Sequence, residues 1–183
     1  MAWAAWVTGL PGCGKTTVTR VLADRLKAKG VHVKVLNIDD VRKVLTPYPA
    51  YSLEERAIVY AAMAYMAKLL VDQGVNVIID ATGNLRKYRT VAKELIPGFA
   101  EIYLKCPLDV AVQREQARKG ANAPKDIYKK GKTGKSTTVP GVNVAYEEPE
   151  NPLITLDTEK LSAAEAGALA ADVLLDHFGG SHV

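Results

Sequence analysis

Along the chain, short unbroken apolar runs alternate with stretches in which apolar residues recur at helical spacing, almost to the end. The first ten residues, "MAWAAWVTGL", read as a short buried strand with Trp3 and Trp6 as its bulky members. From Lys15 to Lys29 the period changes, and Val18, Val21, Leu22 and Leu26 predict an amphipathic helix closed by Gly30. The alternating, valine-rich "VHVKVLNID" (31–39) predicts a second strand. Residues 52–74 carry a long helical pattern, with Ser52 and Glu55 spaced as a capping box. Further strands are predicted at 75–80, 100–106 and 153–157, and further helices at 85–96, 108–120 and 162–178. Residues 120–150 lose periodicity and fill with Lys, Gly, Thr and Pro, and the tail 179–183 reads as frayed.

Five nearly continuous apolar strands alternating with helices predict an α/β domain with a mostly parallel five-stranded sheet and helices on both faces. Such three-layer sheets bind ligands at the carboxyl ends of their strands. The irregular stretch is too long for a plain connector, so residues 119–146 are expected to form a mobile lid over that edge, within a single domain spanning 1–183.

Composition narrows the function more than the fold. No run is long and apolar enough to cross a bilayer, and the N-terminus lacks the basic region of a signal peptide, so neither membrane nor export is expected. Two cysteines, Cys13 and Cys106, make neither a disulfide scaffold nor a complete zinc site, which suits a reducing cytoplasm. The net charge of +4 suits an anionic ligand as readily as nucleic acid.

"GLPGCGKT" (9–16) decides between them. It matches G-x-x-x-x-G-K-[ST] between a predicted strand and a predicted helix, the context a phosphate-binding P-loop requires. Its backbone N–H groups and the helix N-terminus would cradle phosphate, so Gly9, Leu10, Pro11, Gly12, Cys13, Gly14, Lys15, Thr16 and Thr17 are the expected nucleotide contacts. Lys15 would reach the β- and γ-phosphates of ATP, and the Thr16 hydroxyl would ligate Mg²⁺. Cys13 itself reads as a small filler and Cys106 as core.

Carboxylates follow on the same edge. In "LNIDDVRKVL" (36–45), one of Asp39 and Asp40 is expected to cap the next helix and the other to act on substrate, with Asp39 favoured for the chemistry. Asp80 ends the third strand in "VIIDATGN", where a buried acid holds magnesium through water. Asp80 and Gly83 also spell the D-x-x-G of GTPases, but no N-K-x-D guanine-reading string accompanies them. Arg114 and Arg118, four apart on a helix entering the lid, are placed to close over transferring phosphates. The lid lysines Lys125, Lys129, Lys130, Lys132 and Lys135 are interleaved with Tyr128 alone among aromatics, a poor fit to a nucleic-acid groove.

Taken together, these blocks resemble the adenylylsulfate (APS) kinases. "WVTGLPGCGKTT" looks like their W-x-T-G-L-S-G-x-G-K-T-T opening, "LNIDDVRKVL" like their L-D-G-D-N-V-R, and "YSLEERAIVYAAMAYMAKLL" like their F-S-x-x-D-R helix. "DIYKKGKTGKSTTVPGVNVAYEEPENP" is similar to their K-G-L-Y-K-K-A-R-x-G lid and the Y-E-x-P-x-x-P that follows. The resemblance implies a P-loop kinase fold, a homodimer, and MgATP-dependent phosphorylation of the 3′-hydroxyl of adenosine 5′-phosphosulfate. It makes Asp39 the second acid of D-G-D, a base or a metal-side carboxylate, and sets Arg42, Tyr51 and Arg56 among the acceptor contacts, with Tyr51 in place of the stacking Phe. Thr82, Gly83 and Asn84 stand at the family's I-S-P turn, and Lys130 and Val139 in its lid. The departures gather on the acceptor side: Asn37 for the first acid of D-G-D, Ile58–Ala62 for E-N-I-R-R, Gly83 for Ser, Thr137 for Lys, Val139 for Phe, and an apparent insertion at 116–123. Another nucleotide-linked or small alcohol is the alternative acceptor.

Overall fold

The computed structural model describes residues 1–118 and 126–179; much of the apparent insertion, Lys125 and the last four residues lie outside these. Five strands, β1 (Ala4–Thr8), β2 (Val33–Asn37), β3 (Asn76–Asp80), β4 (Phe99–Lys105) and β5 (Ile154–Asp157), form one sheet. Its order is β2-β3-β1-β4-β5. Every named pairing is parallel, so the sheet is wholly rather than mostly so. Helices α1 (Lys15–Ala28), α2 (Ile38–Leu45), α3 (Leu53–Asp72), α4 (Arg86–Leu95), α5 (Leu108–Ala117), α6 (Ile127–Lys132) and α7 (Ala163–Phe178) supply the crossovers and the covering layers.

Period-two alternation divides the apolar residues between two cores. Trp3, Ala5 and Val7 near and on β1, with Ile78, Ile102 and Leu104, face a layer that includes Val18, Leu22 and Leu26 of α1 and Ala166, Ala170 and Leu174 of α7. Ala4 and Trp6, with Val77 and Ile79, face Tyr60, Met63 and Ala64 of α3 and Tyr88 and Ala92 of α4. An unbroken apolar run is therefore what a strand buried on both faces requires. Among the described residues no helix is long and apolar enough to cross a membrane.

Three local expectations change. The strand predicted at 31–39 stops at Asn37, because Asn37 caps α2 and sends Asp39 and Asp40 into its first turn. The cap is thus neither aspartate. The helix predicted to 120 ends at Ala117, with Arg118 already extended at its C-cap. The stretch read as irregular contains α6, held by Tyr128, which is fully buried and whose hydroxyl donates to the Pro11 carbonyl at 2.7 Å.

Candidate functional site

The carboxyl ends of β1, β2 and β3 open into a cavity of about 1080 Å³. The P-loop forms one wall through Pro11, Gly12, Gly14, Lys15, Thr16 and Thr17. Gly12 has φ +83°, and a Cβ there would fall onto the Ala111 carbonyl, so the loop closes against α5 only with glycine at this point. Lys15 is buried, and its ammonium donates to the Gly9 and Leu10 carbonyls at 3.0 Å each. Gly9, Leu10 and Cys13 do not line this cavity. Cys13 sits in the core, where burial pushes its thiol up from the ordinary range, as befits a filler.

Behind the loop, the Thr16 hydroxyl donates to Asp80 Oδ2 at 2.8 Å, and Asn37 Nδ2 donates to the same oxygen at 2.7 Å. Asp80 is buried, and its Oδ1 has no hydrogen-bond partner. A buried carboxylate oxygen left free beside a P-loop hydroxyl fits a hydrated magnesium ion. Among the described residues no group of three or more His, Cys, Asp or Glu could hold a metal, so a cation here would lean on Thr16, Asp80 and oxygens brought by its nucleotide.

Asp39 lines the same cavity from the first turn of α2. Burial, with Asp80 nearby, pushes its carboxyl up from the usual range, against the opposing pull of Lys15, Arg118 and Arg42. Arg42 is buried one turn on, where its Nη1 contacts Glu55 Oε1 at 2.6 Å while its Nη2 finds no partner. Tyr51 adopts φ +55°, the left-handed region uncommon for a bulky residue, and Glu55 Oε2 secures that turn by accepting from the Ala50 and Tyr51 N–H groups. The Arg42 and Arg56 guanidinium carbons lie 5.0 and 5.7 Å from the centre of the Tyr51 ring. Arg56 also donates to the Tyr51 carbonyl at 3.2 Å and to the Thr138 carbonyl at 2.8 Å, joining this corner to the lid.

Lys130 and Val139 reach the cavity from the lid, and Thr82 from the end of β3. Val139 is buried and packs on Gly131. Arg114 and Arg118 line the cavity too, but they no longer share one helix. Arg114 is anchored just past β5, donating to the Thr158 carbonyl at 2.7 Å and lying 3.9 Å from Cys106 Sγ. Gly83 and Asn84 do not line the cavity. The Asn84 side-chain amide donates to the Ala145 carbonyl, and the Asn84 backbone carbonyl accepts from the Glu147 N–H, so this residue fastens the returning segment. At Gly83 a Cβ would lie 2.9 Å from the Trp6 ring and 3.0 Å from Arg89 Cγ, at φ +49°. A side chain at this position would press on the Trp6 ring.

Sequence reasoning missed Asn37, Glu55, Tyr60 and Thr138, although all but Glu55 line the cavity and Glu55 braces it. Asn37 was legible only as a lost acid; its pairing opposite Asp80 across the β2–β3 ladder appears once the register is known.

Comparison with known proteins agrees with this geometry. A family model described as adenylylsulphate kinase matches residues 1–157. A protein of Archaeoglobus fulgidus named as a probable adenylyl-sulfate kinase is 35% identical over 160 residues, covering 87% of this chain and 98% of that one. An adenylyl-sulfate kinase of Halothermothrix orenii is 33% identical over 169 residues, covering 92% and 87%. The structure of a Mycobacterium tuberculosis APS kinase in complex with AMPPNP and APS superimposes with a TM-score of 0.82 at 29% identity, covering 94% of this chain and 97% of that one. With P-loop, paired carboxylates and lid on one sheet edge and the match running through the whole sheet, the chain belongs to the adenylylsulphate kinase family.

Proposed function

We propose that the protein transfers the γ-phosphoryl group of ATP to the 3′-hydroxyl of adenosine 5′-phosphosulfate. The observation that carries this reading is the convergence of Lys15, Asp39 and Asp80 on one cavity that continues to Arg42, Tyr51 and Arg56. That cavity has a phosphate cradle at one part and an aromatic ring flanked by two guanidinium groups at another, which suits a nucleotide donor and an anionic, base-bearing acceptor.

The roles follow from chemistry already in place. Lys15 leaves the loop carbonyls for the β- and γ-phosphates, which offer a charged acceptor instead of two neutral ones. Thr16 and Asp80 would hold Mg²⁺, which supplies charge neutralisation on the transferring group. Asp39 accepts the acceptor hydroxyl's proton as the new P–O bond forms and ADP departs. Its raised pKa makes it a better base than an ordinary surface carboxylate once ionised. Arg42 keeps one unpartnered nitrogen for an acceptor anion, and Tyr51 offers its ring to the acceptor base. Arg118 and Lys130 bring positive charge from the lid side. Arg114, committed to Thr158, forms a fixed wall for the donor nucleoside rather than a mobile clamp. A homodimer of the 19.7 kDa chain belongs to the same proposal.

A coupled assay of ADP release from MgATP, with and without adenosine 5′-phosphosulfate, tests the reading. Strong stimulation by the acceptor is expected. No stimulation in folded protein at saturating ATP would sink the acceptor assignment, and preference for GTP would sink the donor.

A further inference from the structure

Asn37 and Asp80 end two neighbouring parallel strands and pair in register, so their side chains leave the sheet on one face at its ligand edge. Asn37 uses both ends of its amide there. Its Oδ1 accepts the Asp39 N–H at 2.9 Å and the Asp40 N–H at 3.4 Å. Backbone N–H groups can only donate, so the opposite end must be the NH₂ that meets Asp80 Oδ2 at 2.7 Å. The Thr16 hydroxyl donates to that same oxygen at 2.8 Å. Two donors thus hold one oxygen of the Asp80 carboxylate and leave the buried Oδ1 with its lone pairs unused.

We propose that Asn37 is a positioning residue for the divalent cation: it fixes the Asp80 carboxylate so that Oδ1 stays presented beside Thr16. The same amide begins α2, so one side chain also sets Asp80 relative to the helix that carries Asp39. This rests on reading Thr16 and Asp80 as the cation side of the site. It goes further in assigning the orientation of Asp80 to a neutral amide at a position where the resembled family places an acid. A carboxylate at 37 caps a helix as well as an amide does. It has no N–H to give Asp80, however, and would set two like charges in contact until a cation separated them. Serine also caps, but its hydroxyl is too short to span both partners.

The experiment compares the intact protein with Asn37→Ser and Asn37→Asp, without turnover. Binding of a non-hydrolysable ATP analogue is followed while Mg²⁺ is titrated, and melting temperatures are taken in EDTA and in Mg²⁺ with the analogue. Wild-type binding should depend on Mg²⁺, and Asn37→Ser should raise the Mg²⁺ midpoint by about tenfold or more, as loss of a partner to a metal-side group does. Asn37→Asp should melt below wild type in EDTA and recover with Mg²⁺ and analogue. If both variants keep the wild-type midpoint, or lose equal melting temperature in both conditions, Asn37 is a helix cap and nothing more. Should Asn37→Ser fail to fold, Asn37→Asp, which keeps the cap, decides alone. Wild-type binding indifferent to Mg²⁺ would instead overturn the cation reading of Thr16 and Asp80, a failure separable from that of Asn37.

Discussion

Asp39 is held where an ionised carboxylate is costly, and that cost has a pH signature. Burial is the largest influence on it and Asp80 adds to it, so its folded-state pKa lies above its unfolded value. Below the unfolded pKa the group is protonated in both states and costs nothing. The penalty builds as pH rises from the unfolded pKa to the folded one and is complete above the folded pKa. Asp39→Asn should therefore melt above wild type at neutral pH, with the advantage shrinking as pH falls into the carboxylate range. Melts of both proteins from roughly pH 4 to 8 check the sign; a difference that is constant across pH would contradict it. The same variant should lose about 10²- to 10⁴-fold in kcat while ATP binding changes little, the pattern expected on removing a general base. If ATP binding collapses with it, Asp39 serves the phosphates rather than the acceptor.

Among the elements, the lid helix α6 shows how structure enters a segment without periodicity. Six residues with Gly131 and three lysines carry no helical signal, yet Tyr128 buries its ring completely and ties its hydroxyl to Pro11 in the P-loop. Buried Glu115 adds a second tie, its Oε1 accepting the Ile127 N–H at 3.2 Å. Tertiary contacts thus override weak propensity. Tyr128→Phe leaves the Pro11 carbonyl without that donor, at a cost of about 1–3 kcal/mol. The helix should then loosen from the P-loop, giving faster tryptic cleavage at Lys129, Lys130 and Lys132 and a higher KM for ATP. Limited proteolysis with and without an ATP analogue measures this, and unchanged cleavage would show that α6 is held by other contacts. The start of α2 makes the converse point. Its apolar pattern continued that of the preceding strand, and the boundary became visible only through the cap Asn37 makes.

Across the whole molecule, Arg89 joins parts distant in sequence. It is buried; its Nε meets Glu101 Oε1 of β4 at 2.6 Å, its Nη1 donates to the Gly83 carbonyl, and its Nη2 to the Glu147 carbonyl at 2.8 Å. Arg89→Met should destabilise the fold by about 3–5 kcal/mol, since it strands a half-buried carboxylate and two carbonyls. Chemical denaturation measures the loss; a change under about 1 kcal/mol would mean that water replaces the guanidinium without penalty. The five strands, the helices α1, α3, α4, α5 and α7 that alternate with them, the glycine-rich loop and Asp80 at the end of β3 were determined by the sequence itself. Apolar periodicity and the spacing of Gly9, Gly14, Lys15 and Thr16 are local properties, and local sterics and backbone dipoles act on them directly. Which groups share a hydrogen bond was decided by the tertiary structure alone. The meeting of Asn37 with Asp80, of Arg56 with Thr138 and of Tyr128 with Pro11, and the turning of Gly83 and Asn84 away from the cavity, depend on strand register and on the path of the returning lid. Register and chain return are set by burial summed over the whole sheet and its covering helices, a quantity that no short window of sequence contains.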